Sequence, residues 1–153
     1  MVRMNAVPRE TAKRWAEMEL PAVEPGAWTQ PAKPVTEAKV ALVSSAGMHL
    51  KSDRPFARDP SYRVIPSDTK PDDLFMSHVS PNFDRTAFQE DINVSFPIER
   101  LRELADEGVI GSVATNHYSF MGATDPTTME DNVKEVAGRL HEDGVDLILL
   151  SGV

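Results

Sequence analysis

One arrangement occurs twice in the second half of the chain and limits the fold more than any other feature. An amphipathic helix runs into a glycine, and an apolar strand follows at once. In "PIERLRELADEG" Pro97 stands at the first helical position. Ile98, Leu101, Leu104 and Ala105 form the apolar stripe, and Gly108 ends the helix. "VIGSVATNHYSF" follows as a mixed strand and turn. In "TTMEDNVKEVAGRLHEDG" Thr127 or Thr128 is the expected cap, Glu130 and Asp131 sit in the first turn, and Gly144 ends the helix. The strand Val145 to Leu150 comes next, apolar at successive positions and therefore covered on both faces. With an opening strand from Lys39 to Ser44, this predicts an α/β fold, a mostly parallel open sheet with flanking helices, possibly incomplete at the C-terminus.

The front of the chain reads differently. Pro8 to Met18 is a short helix, with Thr11 as its cap and Trp15 and Met18 on one side. Pro21, Pro25, Pro31 and Pro34 forbid regular structure after it, and Trp28 is expected to pack onto the domain. Residues 1–36 are thus an arm and 37–153 an α/β domain. "YRVIP" and "LFMSHV" are two further strands, and "SPNFDRTAFQEDINVSF" is a loop.

Composition narrows the functions. Acidic residues number 24 against 16 basic ones, a net charge of −8, so the phosphate-binding face of a nucleic-acid protein is not expected. There is no cysteine, which removes disulfides, thiolate metal sites and cysteine catalysis. The apolar run 147–150 is too short to cross a membrane, and the N-terminus lacks the apolar core of a signal peptide. The cytoplasm is the expected compartment.

Ligands of open α/β sheets bind beyond the carboxyl ends of the strands. Ser44, Ser45, Gly47 and His49 follow the first strand, Ser77 and His78 close the third, Asn116, His117 and Tyr118 follow the fourth, and Ser151 and Gly152 end the last. His49, His78 and His117 suit acid/base work, hydrogen-bonded structure or, less readily without close spacing, a metal. "SAGMH" offers at most a small anion nest. The stretch from His78 to Arg100 sets Asp84, Arg85, Asp91, Asn93 and Arg100 among three phenylalanines. Arg100 in the first turn of its helix opposes the helix dipole, and holding a carboxylate would account for it as well as solvation would. No residue here is a strong nucleophile.

"VALVSSAGMHLKSDRPF", "DPSYRVIPSD", "HVSPNFDRTAFQEDINVSFPIERLRELADEGVIG" and "HEDGVDLILLSGV" together resemble the selenoprotein B family. That family includes the B components of glycine, sarcosine and betaine reductases and the selenocysteine subunit of D-proline reductase. The resemblance spans residues 38 to 153. It implies that the last strand runs directly into a selenocysteine after Val153, encoded by UGA, with the rest of the sheet beyond it. It also implies reductive C–N cleavage of a small amine or amino acid, alongside partner reductase subunits.

Under that resemblance His78 and His117 are the candidate catalytic groups. Asp84, Asp91, Asn93, Arg100, Tyr118, Ser45 and His49 are the candidate substrate-binding groups, assigned by residue type. No metal and no cofactor besides selenocysteine is expected. A last strand with an open edge also favours a homodimer. The competing expectations are a non-catalytic α/β binding protein of the same fold and a histidine-based metal enzyme.

Overall fold

The computed structural model describes residues 7–19, 29–80 and 85–152. Trp28 and Asp84 lie outside them. The elements are helices α1 (Arg9–Ala16), α2 (Thr86–Glu90), α3 (Ile98–Asp106) and α4 (Glu130–Glu142). The strands are β1 (Lys39–Ser44), β2 (Met48–Leu50), β3 (Arg63–Pro66), β4 (Leu74–Met76), β5 (Ser112–Val113), β6 (Asn116–Ser119) and β7 (Leu147–Ser151).

Strand β1 is the axis of the main sheet. Val43 pairs with Tyr118 of β6 on one side and Leu150 of β7 on the other, and Val40 pairs with Val113 of β5 and Leu147 of β7. So β5 and β6 are two pieces of one interrupted strand along one flank of β1, and β7 covers the other flank. All three run parallel to β1. β3 adds antiparallel to β6 at the far edge, pairing Ile65 with His117. The α/β class with a mostly parallel sheet is as expected.

Alternation along β1 divides the core into two layers. Val40 and Leu42 face a cluster with Phe96, Ile98, Leu101 and Ile110, which seats α3. Ala41 faces Ala114, Tyr118, Phe120, Val136 and Leu140, which seats α4. Both helices end as their glycines require, Gly108 at φ 73° and Gly144 at φ 67°. Gly111 is needed for closeness: a Cβ there would lie 2.4 Å from the carbonyl carbon of Glu37.

Several expected details differ. "LFMSHV" does not join the main sheet. Its residues 74–76 form β4, which pairs antiparallel with β2 in a separate two-stranded sheet. Gly47, at φ 68°, bends the chain sharply enough after β1 to start β2. The segment expected to be all loop contains α2 and a 3-10 turn at Ile92–Val94, because Asp91 accepts the Asn93 N–H and starts the turn. Pro97 precedes α3 as its N-cap residue instead of standing inside it. The N-cap residue of α4 is Met129, with no side-chain cap; Asp125 instead caps a 3-10 turn at Pro126–Met129 ahead of the helix, accepting from the N–H and hydroxyl of Thr127. Thr11 does not cap α1, which has Pro8 at that position and buries none of its residues.

Candidate active site

The carboxyl ends of β1 and β7 lie side by side, and a short polar cluster closes around them. The Ser45 N–H donates to the Ser151 carbonyl at 3.0 Å, continuing the ladder one step past β1. The hydroxyls of Ser44 and Ser151 both donate to the main-chain carbonyl of Ser95, each at 3.0 Å. Ser44 Oγ also accepts the Ala46 N–H at 3.1 Å, tightening the turn. The Ser45 carbonyl accepts from the Gly122 N–H at 2.8 Å. A side chain at residue 122 would press on Ser45, since a Cβ there would be 2.9 Å from its carbonyl oxygen.

His78 reaches the same end of the sheet from β4. The Ser77 N–H donates to the Gly47 carbonyl at 3.1 Å, and a Cβ on Gly47 would meet the His78 main chain at 3.3 Å. The His78 side chain is buried, and its Nδ1 accepts the Ser80 N–H at 3.2 Å. Arg85 donates to the His78 carbonyl. Burial first, and the Arg85 charge second, hold the imidazole below its ordinary pKa, so it is neutral at physiological pH. From the expected set, the structure places Ser45 at the end of β7 and the main chain of His78 beside Gly47, two residues further along. It adds Ser151, a polar residue expected at the end of the last strand, and Ser95, which sequence pattern alone does not single out. Ser95 contributes a main-chain carbonyl, for which residue type carries no signal.

The other candidates sit elsewhere. His117 is fully buried, with Nδ1 accepting the Leu42 N–H at 2.9 Å and the ring edge-on to Phe96 at 6.2 Å. Its pKa is lowered to about 4 by burial and then by the Arg102 charge. Tyr118 is buried in the α4 layer beside the Tyr62 ring at 5.8 Å. His49 stacks on Phe75 at 6.2 Å in the small sheet, and its Nδ1 lies 2.8 Å from the Leu50 carbonyl oxygen.

Asp91 and Asn93 form a clip: Asn93 Nδ2 donates to Asp91 at 2.8 Å, and Asn93 Oδ1 accepts the Glu99 N–H of the first turn of α3 at 3.2 Å. Arg100 pairs with Glu103 at 2.7 Å on the exposed side of α3. Its neighbour Arg102 does grip polar backbone, donating to the carbonyls of Ser67 and Thr69. Among the described residues no three metal-ligating side chains converge. No described helix is long and apolar enough to cross a membrane.

Beside the serine cluster, between β7 and α4, runs an apolar groove of about 380 Å³. Val43, Phe120, Met129, Val133, Ile148 and Leu150 line it, with Ser44, Ser45 and Ser151 at its polar end. The profile of the glycine/sarcosine/betaine reductase selenoprotein B family matches residues 10–153, nearly the whole chain.

The chain belongs to that family.

Two relatives agree. The chain is 39% identical over 140 residues to the D-proline reductase subunit gamma of Acetoanaerobium sticklandii, covering 89% of this chain and 57% of that protein. It is 32% identical over 129 residues to the sarcosine reductase complex component B subunit beta of Peptoclostridium acidaminophilum, covering 78% of this chain and 29% of that protein. The chain thus spans about half the length of the first and under a third of the second. No solved structure matches it. Within this selenoprotein B-type family, both relatives are named as subunits of reductases, one of them explicitly of a complex.

Proposed function

We propose that the protein is a working component of a selenoprotein B-type reductase, splitting the C–N bond of a small amine or amino acid of the glycine, sarcosine, betaine or proline kind. In this reading the reacting selenocysteine directly follows Val153, and the protein acts in the cytoplasm with partner subunits. The observation that carries it is the placement of β7. It is parallel to β1, and its carboxyl end at Ser151 lies against Ser45 and the Ser95 carbonyl. That is where the strand order turns back across β1 and where open α/β sheets bind ligands.

The cluster suits such a residue. Paired hydroxyls fix the strand end, glycines at 47 and 122 leave room for close approach, and the groove beside it offers an apolar wall to a small organic body. Selenocysteine would supply an anionic nucleophile at neutral pH that displaces the amine from carbon, with a dithiol giving the two electrons. The chain's own residues bind and orient. A neutral His78 is a hydrogen-bonding partner for an amine and does not add a second positive charge beside an ammonium group. In this reading Ser45, which borders the end of β7, contacts the substrate's polar head. Asp84 stays a candidate for the substrate's charged group by residue type alone. Asp91, Asn93, His49 and Tyr118 act at a distance, by holding the start of α3, the small sheet and the α4 layer in place, while Arg100 stays on the exposed side of α3.

The test is a turnover assay of the selenium-containing protein with its partner subunits and a dithiol, offering glycine, sarcosine, betaine and D-proline in turn. Amine release or ring opening with one of them supports the reading. No turnover of any, with selenium present and the subunits assembled, overturns it.

A further inference from the structure

The ladder between β1 and its interrupted neighbour has a gap. β5 pairs with Lys39 and Val40, and β6 pairs with Val43 and Ser44. Between them the Ala114 N–H reaches the Val40 carbonyl at 2.9 Å, but the Leu42 N–H has no main-chain partner from β5 or β6. Leu42 is fully buried, so a donor left unmet there would carry its full desolvation penalty. The His117 ring fills the gap. Its Nδ1 accepts the Leu42 N–H, which fixes the neutral tautomer with the proton on Nε2. The acceptor is a side chain at the only point where the neighbouring strand is broken.

We propose that His117 is a positioning residue, an acid-sensitive peg that holds the middle of β1 and, through it, the Ser44–Ser45 end at the candidate site. Protonation turns Nδ1 from acceptor to donor, so the ring and the Leu42 N–H then repel each other. Little around the ring resists or favours this except burial and one charge. Leu42 of β1, Phe96 ahead of α3 and Ile65 of β3 bring no ionisable group, and Arg102 of α3 is the charge that acts on it. Among the described residues no carboxylate acts to hold this histidine charged. The peg is therefore engaged at neutral pH and released in acid.

The inference concerns β1 and does not depend on the reductase reading. Only its consequence for turnover does. The test is amide exchange and ring nitrogen chemical shifts on the ¹⁵N-labelled full chain. The expected ring signals show a protonated Nε2 and an accepting Nδ1. The Leu42 protection factor is expected to fall about 20-fold between pH 7 and pH 5, as the open form takes up the proton. His117→Asn keeps an uncharged acceptor, so Leu42 protection should survive at pH 7 and lose its pH dependence. His117→Leu should lose Leu42 protection at both pH values and lower that of the Ser44 amide, while the Val40 amide, on the β5 side of the gap, stays protected. A protonated Nδ1, or Leu42 protection that does not change from pH 7 to pH 5, overturns the proposal. The ring signals and the pH series use the unaltered protein, so a variant that fails to fold does not block the decision.

Discussion

The Ser151 hydroxyl donates to the main-chain carbonyl of Ser95 at 3.0 Å, tying the end of the edge strand to the turn ahead of α3. Ser44 donates to the same oxygen from β1, so one carbonyl clamps two adjacent parallel strands. Removing either hydroxyl leaves the acceptor with one donor. Ser44→Ala also frees the Ala46 N–H and should cost about 1–2 kcal/mol, whereas half-buried Ser151→Ala should cost about 0.5–1 kcal/mol. Urea unfolding of the singles and the double checks this, and the shared acceptor should make the double differ from the sum.

Gly111→Ala should be the more damaging change. Its Cβ would meet backbone, the Glu37 carbonyl carbon at 2.4 Å, and backbone cannot swing aside as a side chain can. A loss of roughly 2 kcal/mol or more is expected. An unchanged unfolding midpoint would mean that the Glu37–Gly111 approach is not kept in solution.

Stability should fall in mild acid. His117 has its folded pKa lowered to about 4 from an ordinary 6.5, so the unfolded chain binds the extra proton. The contribution is complete above pH 6.5 and is lost as pH falls toward 4. Its size is on the order of 3 kcal/mol. His78, also lowered, acts with the same sign. Denaturant unfolding at pH 7.5 and 5 should show the loss, and His117→Asn should remove most of it.

The exposed edge predicts self-association. Ile148, Leu149 and Leu150 are 48%, 41% and 74% exposed, and β7 carries no proline, lysine or bulge to block pairing. Sedimentation of the 153-residue chain should show concentration-dependent oligomers, and Leu150→Lys should reduce them with little effect on folding. A monomer at all concentrations would contradict this.

Among the expected site residues, His78 and Arg100 should part company. In the selenium-containing enzyme His78→Ala should lower turnover tenfold or more with the fold intact. Arg100→Ala should change it less than twofold, because the surface pair with Glu103 is worth under about 1 kcal/mol.

Much of the fold is legible in the residues because helix and strand periods are local. The stripe of α3, the glycines at 108 and 144 and the apolar run of β7 each announce themselves within a dozen residues. The site is less legible because it is made by pairing at long range. Nothing near Ser95 signals that its carbonyl will meet Ser44 and Ser151, 51 and 56 positions away. Residue type also misleads: Asp91 and Asn93 look like ligand groups, yet they supply a turn and a helix start. His117 looks like a strand-end acid or base, but a broken ladder beside Leu42 occupies its Nδ1. "LFMSHV" has the composition of a core strand, and only the bend at Gly47 decides that it pairs with β2 instead.

The most direct measurement is the intact mass and selenium content of the protein isolated from the cells that make it. The account predicts one selenium per chain, in a peptide where it follows Ser151-Gly152-Val153 directly. A mass equal to that of the 153 residues alone, with no selenium, would contradict it.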